Sequence, residues 1–223
     1  MTKKLMLLAA GALAALAFAA LPAGASAVEM TATCSAVPCV GTIEGTGGAE
    51  LTDDSGLGIK CQKTGGTVTQ VASPSSTVTA TLTFSECKDT PIGLECNNEG
   101  VGTGKIVTNA LTGHLITIVT NTTIGVLLTG VNVTFECPAL GIKKTVTGNL
   151  IGTIENKEGV CGKAVTHHTL LFEEEQPGFQ KHRTWTGKTF DLTSGSHAAD
   201  TTTSAQTATA HVNYGAKTVT ISC

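Results

Sequence analysis

Cysteines are the residues of this chain that are most able to do chemistry, and their number is even. In an exported chain an even number predicts disulfide bonds, here four. A structural zinc site, the alternative, needs paired short spacings between ligands, and the sequence contains no matching pair of them. We therefore expect all eight cysteines to be bonded: Cys34, Cys39, Cys61, Cys87, Cys96, Cys137, Cys161 and Cys223.

Local turn residues favour particular disulfide pairings. Pro91 and Gly93 lie between Cys87 and Cys96 and allow the chain to reverse, so this is the pair we predict first. Pro38 has the same role between the first two cysteines. The predicted pairs are Cys87 with Cys96, Cys34 with Cys39, Cys61 with Cys137 and, by elimination, Cys161 with Cys223.

Residues for nucleophilic catalysis are not arranged in a known motif. A Gly-x-Ser-x-Gly elbow is absent from the sequence, and Ser194 stands only three residues before His197 in a polar stretch, which does not replace a histidine from elsewhere in the fold. If every cysteine is paired, no thiol is left to act as a nucleophile. We expect the protein not to be an enzyme, although a site assembled from distant residues stays open.

The alternative is a secreted hydrolase, whose catalytic residues would be histidines and carboxylates. His167 and His168 are adjacent, so in a strand they face opposite sides and offer one metal ligand to each face. No HExxH motif or closely spaced cluster supplies further ligands for a metal site, and Asp53 with Asp54 does not have the spacing of a calcium loop. We expect no metal and no cofactor. A hydrolytic site would have to bring together at least two of a dispersed set: Glu173, His167, His182, Asp191 and His211.

A ligand site is predicted weakly at one aromatic residue. Aromatic residues make up 4% of the chain and include a single tryptophan, Trp185, which follows His182 and Arg183 closely. Carbohydrate sites use aromatic platforms beside polar groups, so these three residues are the candidate ligand contacts. The simpler interpretation is that Trp185 belongs to the core or its rim.

The elements that must position these residues are β-strands. Residues 77–87 alternate strictly, with Val78, Ala80, Leu82 and Phe84 on one face and threonines on the other, which is typical of a half-buried strand. Similar short runs are predicted at 57–61, 67–72, 111–119, 124–128, 144–155 and 184–192, and around 131–137. Helical periodicity is absent after residue 27.

About 12 short strands at this spacing predict an all-β fold. We expect an antiparallel β-sandwich, because disulfides can tie two sheets together, with a β-barrel as the alternative. The 196 residues of 28–223 are enough for a single disulfide-tied β-domain.

Residues 1–27 have the three parts of a secretory signal peptide. Lys3 and Lys4 precede an apolar run, and Ala25-Ser26-Ala27 provides a cleavage site, so the mature protein is expected outside the cytoplasm, secreted or at the cell surface. Cleavage takes the 14 basic residues to 12 against 17 acidic ones, a net charge of about −5. An acidic surface repels phosphate, so nucleic acid is not an expected partner. After cleavage we expect no membrane span.

Several segments carry a resemblance to a known group. The succession TFSEC, ECNNEGVGTGKIVTNALTGHL and KKTVTGNLIGTIEN, then TLLFEEEQPGFQ and a closing strand, resembles a group of exported proteins of soil-dwelling Gram-positive bacteria. The likeness covers roughly residues 57–223 and consists of glycines, cysteines and strand residues. The group has no known activity, so the resemblance implies a bacterial, exported β-protein and no catalytic residue.

These observations favour a non-catalytic exported β-protein, either an envelope component or a binding module. Cell-envelope glycans and further copies of the chain are the candidate partners. A third interpretation is a self-assembling surface subunit that adds neighbours at exposed strand edges.

Overall fold

The computed structural model describes residues 30–119, 123–156, 159–196 and 201–223. The predicted signal peptide and His197 lie outside the described residues. Within them the fold is all-β, which confirms the predicted class, and no helix there is long and apolar enough to cross a membrane.

The described residues form 18 strands, more than the predicted 12 or so, because several are pieces of two or three residues. In chain order they are β1 Thr31–Cys34, β2 Cys39–Gly45, β3 Ala49–Asp53, β4 Gly58–Gln70, β5 Thr77–Asp89, β6 Lys105–Val107, β7 Leu111–Val119, β8 Thr123–Cys137, β9 Ile142–Glu155, β10 Ala164–Val165, β11 His167–Phe172, β12 Glu174–Gln176, β13 Phe179–Gln180, β14 Thr184–Trp185, β15 Lys188–Thr189, β16 Leu192–Gly195, β17 Thr202–Asn213 and β18 Val219–Ser222. A 3₁₀ turn, Pro138–Leu140, joins β8 to β9.

The main sheet closes on itself. Antiparallel pairing runs from β17 to β2, β4, β5, β7, β8, β9 and β11, and β11 pairs again with β17. The result is an eight-stranded barrel, the arrangement that we gave as the alternative to a sandwich. Eight strands enclose an interior just wide enough for side chains or for one small ligand.

Shorter strands complete the wall at the second end of the barrel. There β3 continues the line of β2 between β17 and β4, and β16 continues the line of β11 between β9 and β17. Five long strands of 12 to 15 residues, β4, β5, β8, β9 and β17, therefore form the frame that both ends share.

Residues 96–98 fill the remaining gap in the wall, between β5 and β8. The backbone N–H of Cys96 donates to the carbonyl of Cys87 over 3.0 Å, and Asn97 exchanges two backbone hydrogen bonds of 2.8 Å with Glu136. The segment thus takes the place of a strand at this end.

The side chain of Asn98 links β6 to β8. Its Oδ1 accepts the backbone N–H of Val107, and its Nδ2 donates to the carbonyl of Thr134 over 2.8 Å. The side-chain amide of Asn98 therefore provides hydrogen-bond partners for the Val107 N–H and the Thr134 carbonyl, which do not bond to a neighbouring strand on this side.

A three-stranded sheet covers the first end of the barrel. This sheet, which we call the cap, has the order β1-β18-β10 and is joined to the wall by backbone bonds of 2.8 and 3.0 Å between Ala32 and Ser75. The Cys34–Cys39 and Cys161–Cys223 disulfides, both as predicted, hold its strands. No sheet formed by the described residues covers the second end, which we call the mouth.

The other two predicted disulfides are wrong. Cys61 bonds to Cys87, its direct partner in the register of β4 and β5. Cys96 bonds to Cys137, because the segment 96–98 lies beside the end of β8, where Cys137 is located. The four sulfurs belong to one buried cluster, so sequence proximity did not decide how they pair.

The loop 88–95 reverses without a disulfide between its ends. Its turn is held by Asp89, whose carboxylate accepts the backbone N–H groups of Ile92 and Leu94. The backbone N–H of Asp89 also donates to the carbonyl of Leu94, and the carbonyl of Asp89 accepts the N–H of Gly93. The predicted reversal is therefore present, but its stabilisation is polar.

Residues 173–191 leave the wall between β11 and β16 and form two small hairpins on its outside, β12 with β13 and β14 with β15. The single strand predicted at 184–192 is wrong, because Thr186 and Gly187 have positive φ and turn the chain. We call this segment the excursion. Its Trp185 packs against an outer apolar cluster formed by Ile116, Leu127 and Ile151.

Candidate functional site

The inward side chains of the barrel do not fill its interior. As predicted, Val78, Ala80, Leu82 and Phe84 share one face, and all four line a cavity of about 90 Å³ next to the cap. Leu82, with Leu170 and Ala208 from the opposite wall, is only partly buried although it points inward. We call this space the inner cavity.

A second space of about 70 Å³, the middle cavity, lies further along the barrel. It shares part of its wall with the inner cavity, namely Leu82, Phe84, Leu150 and Gln206. The two cavities are therefore neighbours, with these four side chains at their boundary.

The mouth holds a third and larger space of about 280 Å³. Leu51, Ile59 and Phe135 line both the mouth and the middle cavity, so the three spaces follow one another along the barrel. Three apolar side chains at the mouth are exposed: Leu57 by 51%, Ile92 by 62% and Ile142 by 40%. Apolar side chains are thus present in the lining of all three spaces, from the rim to the cap.

Three charged side chains line the mouth: Asp53 and Lys144 form an ion pair, and Asp89 accepts the backbone N–H groups of its own turn. Lys144 Nζ lies 3.1 Å from Asp53 Oδ2, and Asp53 Oδ1 accepts the backbone N–H groups of Ser55 and Leu57, each over 3.0 Å. Burial alone would raise the pKa of Asp53, but the Ser55 hydroxyl, the Lys144 ammonium and the Leu57 N–H together hold that pKa below its ordinary value. Asp53 is therefore an anion with its partners in place.

A metal ion is not supported by the donors present. The oxygens of Asp53 are already taken by Lys144 and the 55–57 turn, and the described part of the chain contains no group of three or more histidine, cysteine or carboxylate ligands.

A buried histidine, His168, lies at the closed end of the inner cavity. His168 is only 2% exposed and lines the cavity, with its Nδ1 3.3 Å from the hydroxyl of Tyr214. Burial, with a smaller effect of His167, lowers the pKa of His168 to about 4, and burial raises the pKa of Tyr214. Both groups are neutral at physiological pH.

Two buried polar atoms at this cavity have no hydrogen-bond partner among the described residues. They are Nε2 of His168 and Oγ1 of Thr64, and both residues line the inner cavity. Buried polar atoms are nearly always paired, so an unpaired nitrogen facing an apolar cavity indicates a position for a ligand group.

The three residues predicted as ligand contacts do not converge. His182 and Arg183 line an open polar depression of the excursion with Glu175 and Lys181. Burial and then Lys181 lower the pKa of His182, against a smaller opposing effect of Glu173.

Trp185 faces away from that depression. Its ring centre lies 6.4 Å from that of Phe190, over the outer cluster. Arg183 is held by Asp191 through two bonds of 2.5 and 2.8 Å and stands 4.8 Å above the Phe179 ring. The arrangement is that of a packed hairpin, and ligand binding at these three residues stays a prediction.

The five residues of the hydrolase alternative are also spread out. Glu173 pairs with Lys181 over 2.8 Å, and Asp191 pairs with Arg183. His211 Nδ1 is 2.9 Å from the Thr169 hydroxyl on the outer face. No hydrogen bond joins two of the five in the described ranges.

Ser194 is buried at the mouth rather than exposed in a loop. Its hydroxyl accepts a 2.8 Å bond from the Ser204 hydroxyl of the neighbouring strand. This bond ties β16 to β17, which is a structural role.

Sequence reasoning missed the cavity. The inward positions of β17 carry Ala208 and Ala210, and β5 carries Ala80, so small residues recur on a face where a filled barrel needs large ones. The recurrence of small residues on inward faces is the feature of the sequence that indicates a cavity, but it can be recognised only when it is known which face of each strand points inward.

Comparison with known proteins gives no relative: no family model, curated protein or solved structure matches this chain. The structure itself shows an all-β barrel with four disulfides and a mainly apolar interior. Four disulfides and an all-β fold fit a secreted or extracellular protein.

Proposed function

We propose that this protein is an exported, non-catalytic binding protein that holds a small apolar molecule inside its barrel. The observation that carries the proposal is the series of three spaces from the mouth to the cap, whose mainly apolar side chains do not fill the interior. Well-packed proteins contain few voids larger than a water molecule, and apolar cavities of about 150 Å³ bind benzene.

The mouth supports entry of such a molecule. Its exposed apolar rim lies in front of the widest of the three spaces, and the nearby charges of Asp53 and Lys144 are already paired. The entering molecule then does not have to separate this ion pair.

Export is supported by the signal-like segment 1–27, by the four disulfides and by the resemblance to exported proteins of Gram-positive soil bacteria. The closed barrel argues against the self-assembling subunit, since closure leaves no free wall edge among the described strands.

Calorimetric titration with n-hexane and benzene tests the proposal. Saturable binding of either probe with a rise in the unfolding temperature is the expected result, because a ligand specific to the folded state stabilises it. Trp185→Ala is the control variant, since it changes the outer cluster and leaves the barrel walls intact.

A rival function, binding of envelope glycans at the excursion, gives the opposite pattern. Soluble peptidoglycan fragments would bind, Arg183→Ala would abolish that binding, and the hydrocarbons would cause no heat change. That combination contradicts the proposal.

A further inference from the structure

The wall of the inner cavity is mainly apolar, and the polar side chains in it are neutral: Thr64, Gln70, Gln206, His168 and Tyr214. Its lining contains no Asp, Glu, Lys or Arg side chain, and neither does that of the middle cavity. An ionic group there would be buried without a partner, which is strongly unfavourable. The ligand of this interior must therefore be neutral over the part that enters.

The polar end is defined by His168 and Tyr214. Nδ1 of His168 and the Tyr214 hydroxyl are 3.3 Å apart, and the hydroxyl has no other partner in the part of the chain that the structure describes. If the hydroxyl donates its proton to Nδ1, both atoms of this pair are satisfied and the imidazole proton resides on Nε2. Nε2 then needs an oxygen acceptor.

The size of the cavities limits what can bring that oxygen. About 90 Å³ at the closed end is less than the roughly 150 Å³ that accepts benzene, so a narrow group fits there. The middle cavity and the mouth continue along the same axis, which favours an elongated molecule with its hydrocarbon tail directed toward Leu57, Ile92 and Ile142.

We propose, on the basis of the proposed function, that the ligand is a neutral, elongated hydrocarbon with one hydroxyl or carbonyl oxygen, and that His168 Nε2 binds this oxygen at the closed end of the barrel. His168 is then the residue that separates alcohols and ketones from plain alkanes. Its role is recognition and involves no chemical step.

The test compares four probes of the same chain length: n-hexane, 1-hexanol, 2-hexanone and hexanoate. Dissociation constants are measured for the oxidised protein and for His168→Leu, with His211→Leu, on the outer face of β17, as the matched control. Because hexane and hexanol differ in their affinity for water, the informative quantity is the ratio of their constants in each protein.

We expect His168→Leu to lower the preference for hexanol and hexanone over hexane at least tenfold and to leave hexane binding intact, whereas His211→Leu changes nothing. In the unmodified protein, the ¹⁵N resonance of His168 Nε2 should shift on addition of hexanol but not of hexane. This second measurement requires no variant, so it decides the matter even if His168→Leu does not fold.

An unchanged ratio together with an unchanged Nε2 resonance overturns the role of His168 and leaves the proposed function standing, since hexane still binds. Tighter binding of hexanoate than of hexanol overturns the neutral class of ligand. Absence of binding by all four probes overturns the proposed function itself.

Discussion

Replacing Ala208 by leucine should make the protein more stable and at the same time remove ligand binding. Ala208 points into the inner cavity from β17 and is only partly buried. Its added carbons would occupy space that is otherwise unfilled, so a substitution that usually harms a core should help here.

The size of the gain follows from the cavity. An empty space of about 90 Å³ corresponds to roughly 2 kcal/mol at about 24 cal/mol per Å³. Three additional buried carbons give a similar figure, about 2.4 kcal/mol. Some misfit of the leucine reduces this, so we expect the free energy of unfolding to rise by about 1 to 2 kcal/mol.

Urea unfolding of the oxidised protein, followed by circular dichroism, measures this gain as a shift in midpoint with an unchanged slope. Titration with n-hexane should show at least a tenfold loss of affinity in the same variant. Stability and binding then move in opposite directions, which is the signature of a space kept open for a ligand.

The matched control is Ala205→Leu. Ala205 lies on the opposite face of the same strand, is 0% exposed and does not line the cavities. The same substitution there should destabilise the protein by about 1 to 3 kcal/mol through overpacking. Equal destabilisation by Ala208→Leu and Ala205→Leu would refute the reasoning, because it would mean that the interior is already filled.

Three further predictions concern the wall and the buried histidine. Asn98→Ala should lower the free energy of unfolding in urea by about 1 to 2 kcal/mol, because two backbone groups lose their hydrogen-bond partner. Asn97→Ala should be close to neutral, because the Asn97 amide bonds only to the neighbouring residue. Equal effects of the two substitutions would contradict the bridging role of Asn98. Peptide mapping under non-reducing conditions should recover Cys61 joined to Cys87, and replacing both by serine should cost roughly 3 to 4 kcal/mol; recovery of any other partner contradicts the pairing. The pKa of His168 is about 4 in the folded protein against an ordinary 6.5, so the unfolded chain takes up this proton first as the pH falls. The contribution of His168 to the free energy of unfolding is therefore fully present above pH 6.5 and decreases by roughly 3 kcal/mol down to pH 4. His168→Gln should remove that slope from pH-dependent unfolding curves, and an unaltered slope would show that other groups produce it.

Strand periodicity was the part of the fold that sequence predicted best. The inward face of β5 was correct residue by residue, and β7 has the predicted bounds, because alternation reports burial of one face directly. Strands were cut where glycine occurs, at Gly65-Gly66 within β4 and near Gly130 within β8, although both strands continue. Neighbouring strands hold the backbone through these glycines, and such long-range pairing is not encoded locally.

Disulfide pairing failed for a related reason. The turn between Cys87 and Cys96 was predicted correctly, but a turn fixes the backbone and not the direction of the side chains. In the barrel Cys87 lies beside β4 and bonds to Cys61, whereas Cys96 lies beside β8 and bonds to Cys137. Each partner is distant in sequence.

The cavity was not predictable from the sequence because it depends on which faces meet. From the sequence, His168 is only one half of a histidine pair in a predicted strand. Its isolation from water follows from closure of the barrel and from the cap. The sequence leaves Trp185 either as a ligand contact or as part of the core or its rim, and in the structure it covers the outer cluster.

Intermolecular nuclear Overhauser effects from uniformly ¹³C-labelled n-hexane to the oxidised protein test the central claim most directly. We predict cross-peaks to interior groups, above all the methyl groups of Leu82 and Leu150 and the ring of Phe84, which line both the inner and the middle cavity. Cross-peaks confined to Trp185 and the outer cluster, or none at saturating hexane, would contradict an interior that binds apolar molecules.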